Sequence, residues 1–142
     1  LTKLGFSYPI LKSNNLLYLG LRDVEIQEKG YILKNSIKNF NVNEIRLKGL
    51  NNFIENIIKY FESVKKIYIS LDVDSLDPET VSQGTGTPVK NGFDTIEIIS
   101  IIRTLIKTKK VVALEVSEIN PLLDKKGNVM AEKTFEIIKK IF

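Results

Sequence analysis

Short strand-like runs alternate with helical patterns along this chain, and that alternation restricts it to the α/β class of folds. The strand-like runs cover residues 16–19, 37–40, 67–73 and 111–116, and the run 67–73 is the best of them because it is rich in β-branched and aromatic residues. The helical patterns, in which apolar residues recur every three or four positions, cover residues 50–61, 98–106 and 129–142. Strands separated by helices predict a mostly parallel sheet with helices packed against it.

The last two helical patterns support more detailed expectations. Asp94 is the predicted N-cap of the earlier helix, because Glu97 three residues later completes a capping box. The helix that closes the chain is predicted to pack through its apolar residues Met130, Phe135, Ile138 and Phe142.

Composition excludes several classes of protein. The 142 residues carry 21 Lys and Arg against 17 Asp and Glu, and the basic residues are scattered among acids, which argues against a nucleic-acid partner. No apolar run reaches the roughly 20 residues that a membrane span requires. With no Cys and no His, the chain has no disulfides, no thiolate or imidazole metal ligands and no histidine-dependent nucleophile. Its chemistry therefore depends on carboxylates, hydroxyls, Lys, Arg or backbone groups.

The most informative segment is the end of the third strand-like run, where residues 70–78 read SLDVDSLDP. Alternate residues of a strand face the same side, so Asp72 and Asp74 are predicted to project together with Cα atoms about 6.6 Å apart. Carboxylates so close repel unless a cation intervenes or one is protonated, and hard ions such as Mg²⁺ or Mn²⁺ prefer oxygen ligands. Turn capping, the role expected of Asp77, fits the spacing of Asp72 and Asp74 equally well.

Two later segments are expected near these aspartates. Residues 84–88, GTGTP, form a flexible turn with two hydroxyl groups, and Glu118 follows the next strand within the segment 115–121, EVSEINP. Because neighbouring parallel strands end at the same edge of a sheet, Glu118 is a candidate for the same pocket. The alternative is an ordinary surface glutamate in a loop.

Together these segments resemble the arginase (ureohydrolase) family. The stretch 70–78 is similar to the family's second metal-binding motif, residues 86–88 to the turn behind it, and residues 118–121 to its glutamate motif. The stretch 18–24, YLGLRDV, is similar to the form found in arginases proper. The resemblance implies a three-layer α/β sandwich with a mostly parallel sheet, of which residues 1–142 would be the carboxyl-terminal half of a single domain.

The function that the resemblance implies is hydrolysis of L-arginine to L-ornithine and urea at a binuclear manganese centre. Asp72 would bridge two Mn²⁺ ions and Asp74 would bind one of them, so that water is activated for attack on the guanidinium carbon. Glu118 would hold the substrate guanidinium through a charge-assisted pair, and Thr87 would line the pocket beside it. Glu25 would contact the substrate α-amino group, with Glu28 nearby, although the family usually carries Asp at the position of Glu25.

The same resemblance places the family's metal-binding His residues, its other Asp ligands and its acid–base His upstream of this chain. The isolated chain is therefore expected to be inactive without the missing amino-terminal half, and none of its residues is assigned a catalytic role. The loop 79–85 is also one residue longer than is usual in the family.

Two alternatives stay open at this point. One is another ureohydrolase, such as an agmatinase or a guanidinobutyrase, and the other is a non-catalytic subunit with an arginase-like fold. The family resemblance also implies a homotrimer or a hexamer. Because a chain that opens at Leu1 hides any amino-terminal targeting segment, a cytoplasmic location is only the default expectation.

Overall fold

The computed structural model describes residues 11–124 and 127–142 of the chain. It divides into two compact units, with the boundary between Asn41 and Val42. Both units are built from helices and parallel strands, which confirms the predicted α/β class with a parallel sheet. No helix within the described ranges is long and apolar enough to cross a membrane.

The described part of the first unit, residues 11–41, contains one parallel strand pair and one α-helix. Strand β1 (Leu17–Leu19) pairs with strand β2 (Lys38–Phe40), and helix α1 (Ile26–Lys34) connects them. Both strands confirm the extended runs predicted at residues 16–19 and 37–40. Helix α1 was not predicted, because its weakly amphipathic sequence has no fully buried residue.

The second unit opens with two consecutive helices, α2 (Val42–Lys48) and α3 (Leu50–Tyr60). Gly49 separates them because its φ of 78° lies in the left-handed region, which side chains disfavour. Helix α3 confirms the helical pattern predicted over 50–61, and it buries Phe53, Ile54 and Ile57 along one face.

The rest of the second unit alternates strands and helices, and it carries the candidate site. Strand β3 (Ile67–Asp72) pairs in parallel with strand β4 (Val111–Ser117), so that Asp72 lies beside Ser117 at the carboxyl end of both strands. Helix α4 (Thr95–Lys107) connects them, and helix α5 (Val129–Ile141) packs against α4. Asp94 caps α4 as predicted, and Glu97 completes the capping box.

The packing predicted for α5 is partly wrong. Met130 is buried as expected, but Phe135 and Phe142 are 62% and 82% exposed. The buried stripe instead consists of Met130, Thr134, Ile137 and Ile141. Phe135 lies five residues after Met130 and therefore roughly 140° further around the helix, outside a stripe that repeats every three to four residues.

Candidate active site

Asp72 and Asp74 lie together at the carboxyl end of β3. Strand β3 ends at Asp72, one residue before the predicted end of this run, and residues Val73–Ser75 form a single 3₁₀ turn. The Asp72 side chain accepts a hydrogen bond from the backbone N–H of Asp74 at 3.1 Å. The two carboxylates are therefore brought together by a tight turn, and not by the strand alternation that the sequence predicts.

Thr87 is the third group of this cluster. Its hydroxyl donates to Asp74 Oδ2 at 2.8 Å across thirteen residues of chain. The contact brings the turn 84–88 back to the end of β3, as the sequence predicts. It also fixes the orientation of the Asp74 carboxylate, since a hydrogen bond to an ionised acceptor is stronger than one between neutral groups.

Glu118 approaches the same cluster from β4. It follows Ser117, the residue paired with Asp72, and its Oε2 lies 4.0 Å from the position that a Cβ on Gly86 would occupy. The backbone of Glu118 has a φ of 63°, in the left-handed region that costs a residue with a Cβ on the order of 1 kcal/mol or more. Strain of this kind persists where the surrounding structure holds it, and it is common at binding sites.

The electrostatics of Asp72 reflect these neighbours. Burial raises the pKa of Asp72, and the nearby carboxylates of Asp74 and Glu118 raise it further, against the opposing effect of the hydrogen bond from the Asp74 N–H. Asp72 is thus repelled by two other acidic groups, and a cation bound there would relieve that repulsion. The arrangement suits a metal ion or a cationic headgroup.

Hydrogen bonds hold the turn 84–88 against the segment that carries Glu118. The Gly84 carbonyl accepts from the Asn120 N–H at 2.8 Å, and the Gly84 N–H donates to Ser82 Oγ at 3.2 Å. Ser82 in turn donates to Asp124 Oδ1, and Asp124 Oδ2 accepts from the Met130 N–H at the start of α5. A Cβ on Gly84 would lie 2.7 Å from Asp124 Oδ2, so only glycine fits this junction.

Asp77 has the turn-capping role expected of it. Its carboxylate accepts from the N–H groups of Glu79 at 2.8 Å and Gly92 at 3.0 Å. Although burial alone raises the pKa of Asp77, these backbone donors lower it below its ordinary value. Asp77 therefore closes the base of the loop that carries Thr87, and it is not part of the acidic cluster.

Glu25 and Glu28 lie in the first unit, at the start of α1. Glu25 is the N-cap, and its backbone N–H donates to Glu28 Oε2 at 2.9 Å in a capping box. The structure thus gives both residues a local role in starting the helix. Their predicted contact with a substrate α-amino group stays a prediction.

The residues present suit part of a metal centre and not the whole of it. Asp72 and Asp74 offer carboxylate oxygens, which are the preferred ligands of Mn²⁺ and Mg²⁺. Over residues 11–124 and 127–142, no group of three or more His, Cys, Asp or Glu side chains is close enough together to hold a metal ion. These metals take about six ligands, so the remaining ones would come from outside the described chain.

Known proteins are similar to this chain in sequence and in fold. A sequence model of the Arginase family matches residues 5–142. The chain belongs to the arginase family. The arginase of Staphylococcus aureus (strain MRSA252) is 33% identical over 135 residues, which are 94% of this chain and 44% of that protein.

Solved structures of arginases superpose on this family member. The native arginase of Bacillus caldovelox does so with a TM-score of 0.89 and 29% identity, over 100% of this chain and 47% of that one. The Entamoeba histolytica arginase in complex with L-ornithine superposes with a TM-score of 0.84 and 26% identity, over 93% of this chain and 44% of that one. This arginase-family chain thus spans less than half the length of the relatives it matches.

Sequence reasoning missed the residues that support the cluster. Ser82 and Asp124 join the turn 84–88 to α5, and Arg46 on α2 contacts Glu97 and the Gly92 carbonyl. Asp124 lies six residues before Met130, outside the usual capping spacing, so no local pattern identifies it. The contact of Arg46 with Glu97 spans 51 residues and has no local signal either.

Proposed function

We propose that this chain supplies part of a binuclear manganese site that hydrolyses L-arginine to L-ornithine and urea. One observation carries the proposal in this member of the arginase family: Asp72 and Asp74 lie together at the carboxyl end of β3, and Glu118 follows the neighbouring parallel strand within electrostatic reach of Asp72. The comparisons support a ureohydrolase function, and the choice of arginine follows from the similarity of the chain to arginases.

Asp72 and Asp74 would hold the metal ions in this proposal. When bound, the two ions would lower the pKa of a water molecule and stabilise the negative charge that develops during hydrolysis. Asp72 contributes an ionised oxygen ligand once a cation offsets the burial and the like charges that raise its pKa. Thr87 keeps the Asp74 carboxylate in one orientation through its hydroxyl.

Glu118 would bind the guanidinium of the substrate. A guanidinium is a flat cation whose N–H donors match the two oxygens of a carboxylate. The bond between the Asn120 N–H and the Gly84 carbonyl holds the segment that contains Glu118 against the turn 84–88. The carboxylate therefore needs little reorganisation before it pairs with the substrate.

The rest of the site would come from elsewhere. Glu25 would contact the α-amino group, with Glu28 nearby, and the missing amino-terminal half of the domain would supply the other metal ligands and the acid–base group. The complete protein is proposed to assemble as a homotrimer or a hexamer.

A chimera tests this proposal. In it, the 142-residue chain replaces the matching region of the Staphylococcus aureus arginase, and urea release from L-arginine is measured with Mn²⁺ present. We expect activity in the chimera, none in the isolated chain, and slower turnover of agmatine, which lacks the α-carboxylate. Asp72→Asn and Asp74→Asn are expected to lower kcat/KM at least a hundredfold, on the order of 3 kcal/mol of transition-state stabilisation.

The matched control is Glu136→Gln, which removes an exposed carboxylate that pairs with Lys133 on α5. It is expected to leave kcat/KM within twofold of the parent chimera. A folded chimera that binds Mn²⁺ but releases no urea would support a non-catalytic arginase-like subunit. Equal turnover of agmatine and arginine would favour another ureohydrolase.

A further inference from the structure

Arg46 connects helix α2 to the start of helix α4. Its Nε donates to Glu97 Oε1 at 2.7 Å and its Nη2 to Glu97 Oε2 at 2.8 Å, which is a two-point pairing of guanidinium and carboxylate. The Glu97 side chain is only 14% exposed. The hydrogen bond from Arg46 lowers the pKa of Glu97, although burial alone would raise it.

The Glu97 side chain is also hydrogen-bonded to Asp94, the N-cap of its own helix. Its Oε2 accepts from the Asp94 N–H at 2.9 Å, and its N–H donates to Asp94 Oδ1 at 2.8 Å. The carboxylate therefore cannot swing away without breaking the capping box of α4. It is a fixed anchor for the Arg46 side chain.

The third contact of Arg46 reaches the loop of the candidate active site. Its Nη2 also donates to the Gly92 carbonyl at 3.0 Å. The Gly92 N–H donates to Asp77 Oδ2 at 3.0 Å, so one peptide segment is held by Arg46 on one side and by Asp77 on the other. This segment, at Gly92 and Phe93, ends the loop that begins after Asp77, so it lies at the base of that loop.

The same segment is paired with the residues that follow Asp74. The Phe93 N–H donates to the Ser75 carbonyl and the Asp77 N–H donates to the Phe93 carbonyl, both at 2.9 Å. Leu76 and Phe93 form an isolated parallel bridge, and both side chains are buried. A continuous set of contacts thus connects Arg46 to the backbone next to Asp74.

We propose that Arg46 is a positioning residue for the candidate active site, which it serves by fixing the base of the loop that aligns Thr87 with Asp74. The inference rests on the proposed function, in which Asp74 binds a metal ion. Arginine suits this task because its rigid fork satisfies the Glu97 carboxylate and the Gly92 carbonyl at the same time. Lysine has one ammonium on a flexible stem and cannot reproduce that geometry.

The first measurement is amide hydrogen exchange by NMR on the 142-residue chain, for the parent, Arg46→Ala and Arg46→Lys. We expect the amides of Asp77, Gly92 and Phe93 to exchange about tenfold faster in both variants, because the loop base opens locally. The amides of β3 and β4 are expected to change less than about twofold. The control is Lys133→Met, which removes an exposed ion pair on α5 and should leave all of these rates unchanged.

The second measurement is Mn²⁺ affinity by calorimetry on the Staphylococcus aureus chimera, in which the 142-residue chain is the parent, Arg46→Ala, Arg46→Lys or Lys133→Met. We expect Kd to rise about tenfold in both Arg46 variants and to stay at the parent value in Lys133→Met, since a misplaced ligand weakens binding without unfolding the protein. If Arg46→Ala does not fold, the exchange rates and the Kd of Arg46→Lys, which keeps the charge, decide whether Arg46 positions the loop.

A purely stabilising role would accelerate exchange evenly across the unit and leave Kd unchanged, and that result would overturn the proposal. Parent-like exchange at Gly92 and Phe93 would overturn it as well. If the parent chimera binds no Mn²⁺, the metal role of Asp74 in the proposed function is wrong, while the exchange rates alone still decide whether Arg46 fixes the loop base.

Discussion

Gly92 is the position at which a single methyl group would most directly disturb the candidate site. A Cβ there would lie 2.5 Å from the Leu76 carbonyl carbon and 2.6 Å from both the Leu76 oxygen and the Asp77 nitrogen. All three are backbone atoms, so no side chain can rotate to make room. In Gly92→Ala, the segment 92–93 must therefore move away from residues 76–77.

The cost of this movement can be estimated from its parts. Inserting a methyl group into a packed region costs about 1–3 kcal/mol, and weakening the bond from the Gly92 N–H to the Asp77 carboxylate costs about 1.5–3 kcal/mol more. Replacing glycine restricts the unfolded chain and returns about 0.4–1 kcal/mol. The net loss is about 3 kcal/mol, a large part of the 5–15 kcal/mol typical of a domain.

Urea unfolding followed by circular dichroism measures this loss. The control is Gly30→Ala in α1, where a Cβ has no atom within 4 Å. An exposed glycine inside a helix is about 0.5–1 kcal/mol less stable than alanine, so Gly30→Ala should gain that amount. A loss below about 1 kcal/mol in Gly92→Ala would show that the loop base is too compliant to position Asp74.

Three further substitutions test the cluster. Glu118→Asn should raise the free energy of unfolding by about 0.5–1 kcal/mol, because asparagine tolerates a positive φ better than glutamate, and the same substitution should weaken arginine binding in the chimera. The control Lys109→Asn, at a φ of 60°, should give the same gain in stability with no change in binding. Asp72→Asn should stabilise the metal-free chain by about 0.5 kcal/mol at pH 7, since the raised pKa of Asp72 means that its ionised form opposes folding above that pKa. The gain should shrink as the pH falls through the folded-state pKa and vanish well below about pH 4, where the carboxyl is protonated in both states. Gly84→Ala should cost about 1–3 kcal/mol in urea unfolding, because its Cβ would meet Asp124 Oδ2 at 2.7 Å, and a near-neutral result would contradict the tight junction between the turn 84–88 and α5.

Local patterns in the sequence identified much of the second unit. The strand-like run at 67–73, the capping box of Asp94 and Glu97, and the helical spacing of 50–61 all depend on residues a few positions apart, and the structure contains each of them. The buried face of α5 was assigned wrongly in part, because two exposed phenylalanines carry the same apolar signal as core residues.

At the candidate site as well, the sequence predicts what depends on neighbouring residues, and the structure decides the contacts between distant ones. The sequence by itself determined the α/β class, the membership of the arginase family and the identity of the acidic residues, because these depend on short motifs and spacings. Only the tertiary structure decided that a 3₁₀ turn brings Asp72 and Asp74 together, that Thr87 and Glu118 approach them, and that Arg46 reaches Gly92. Those contacts join residues that are up to 46 positions apart, and their geometry depends on how the helices and strands pack around them.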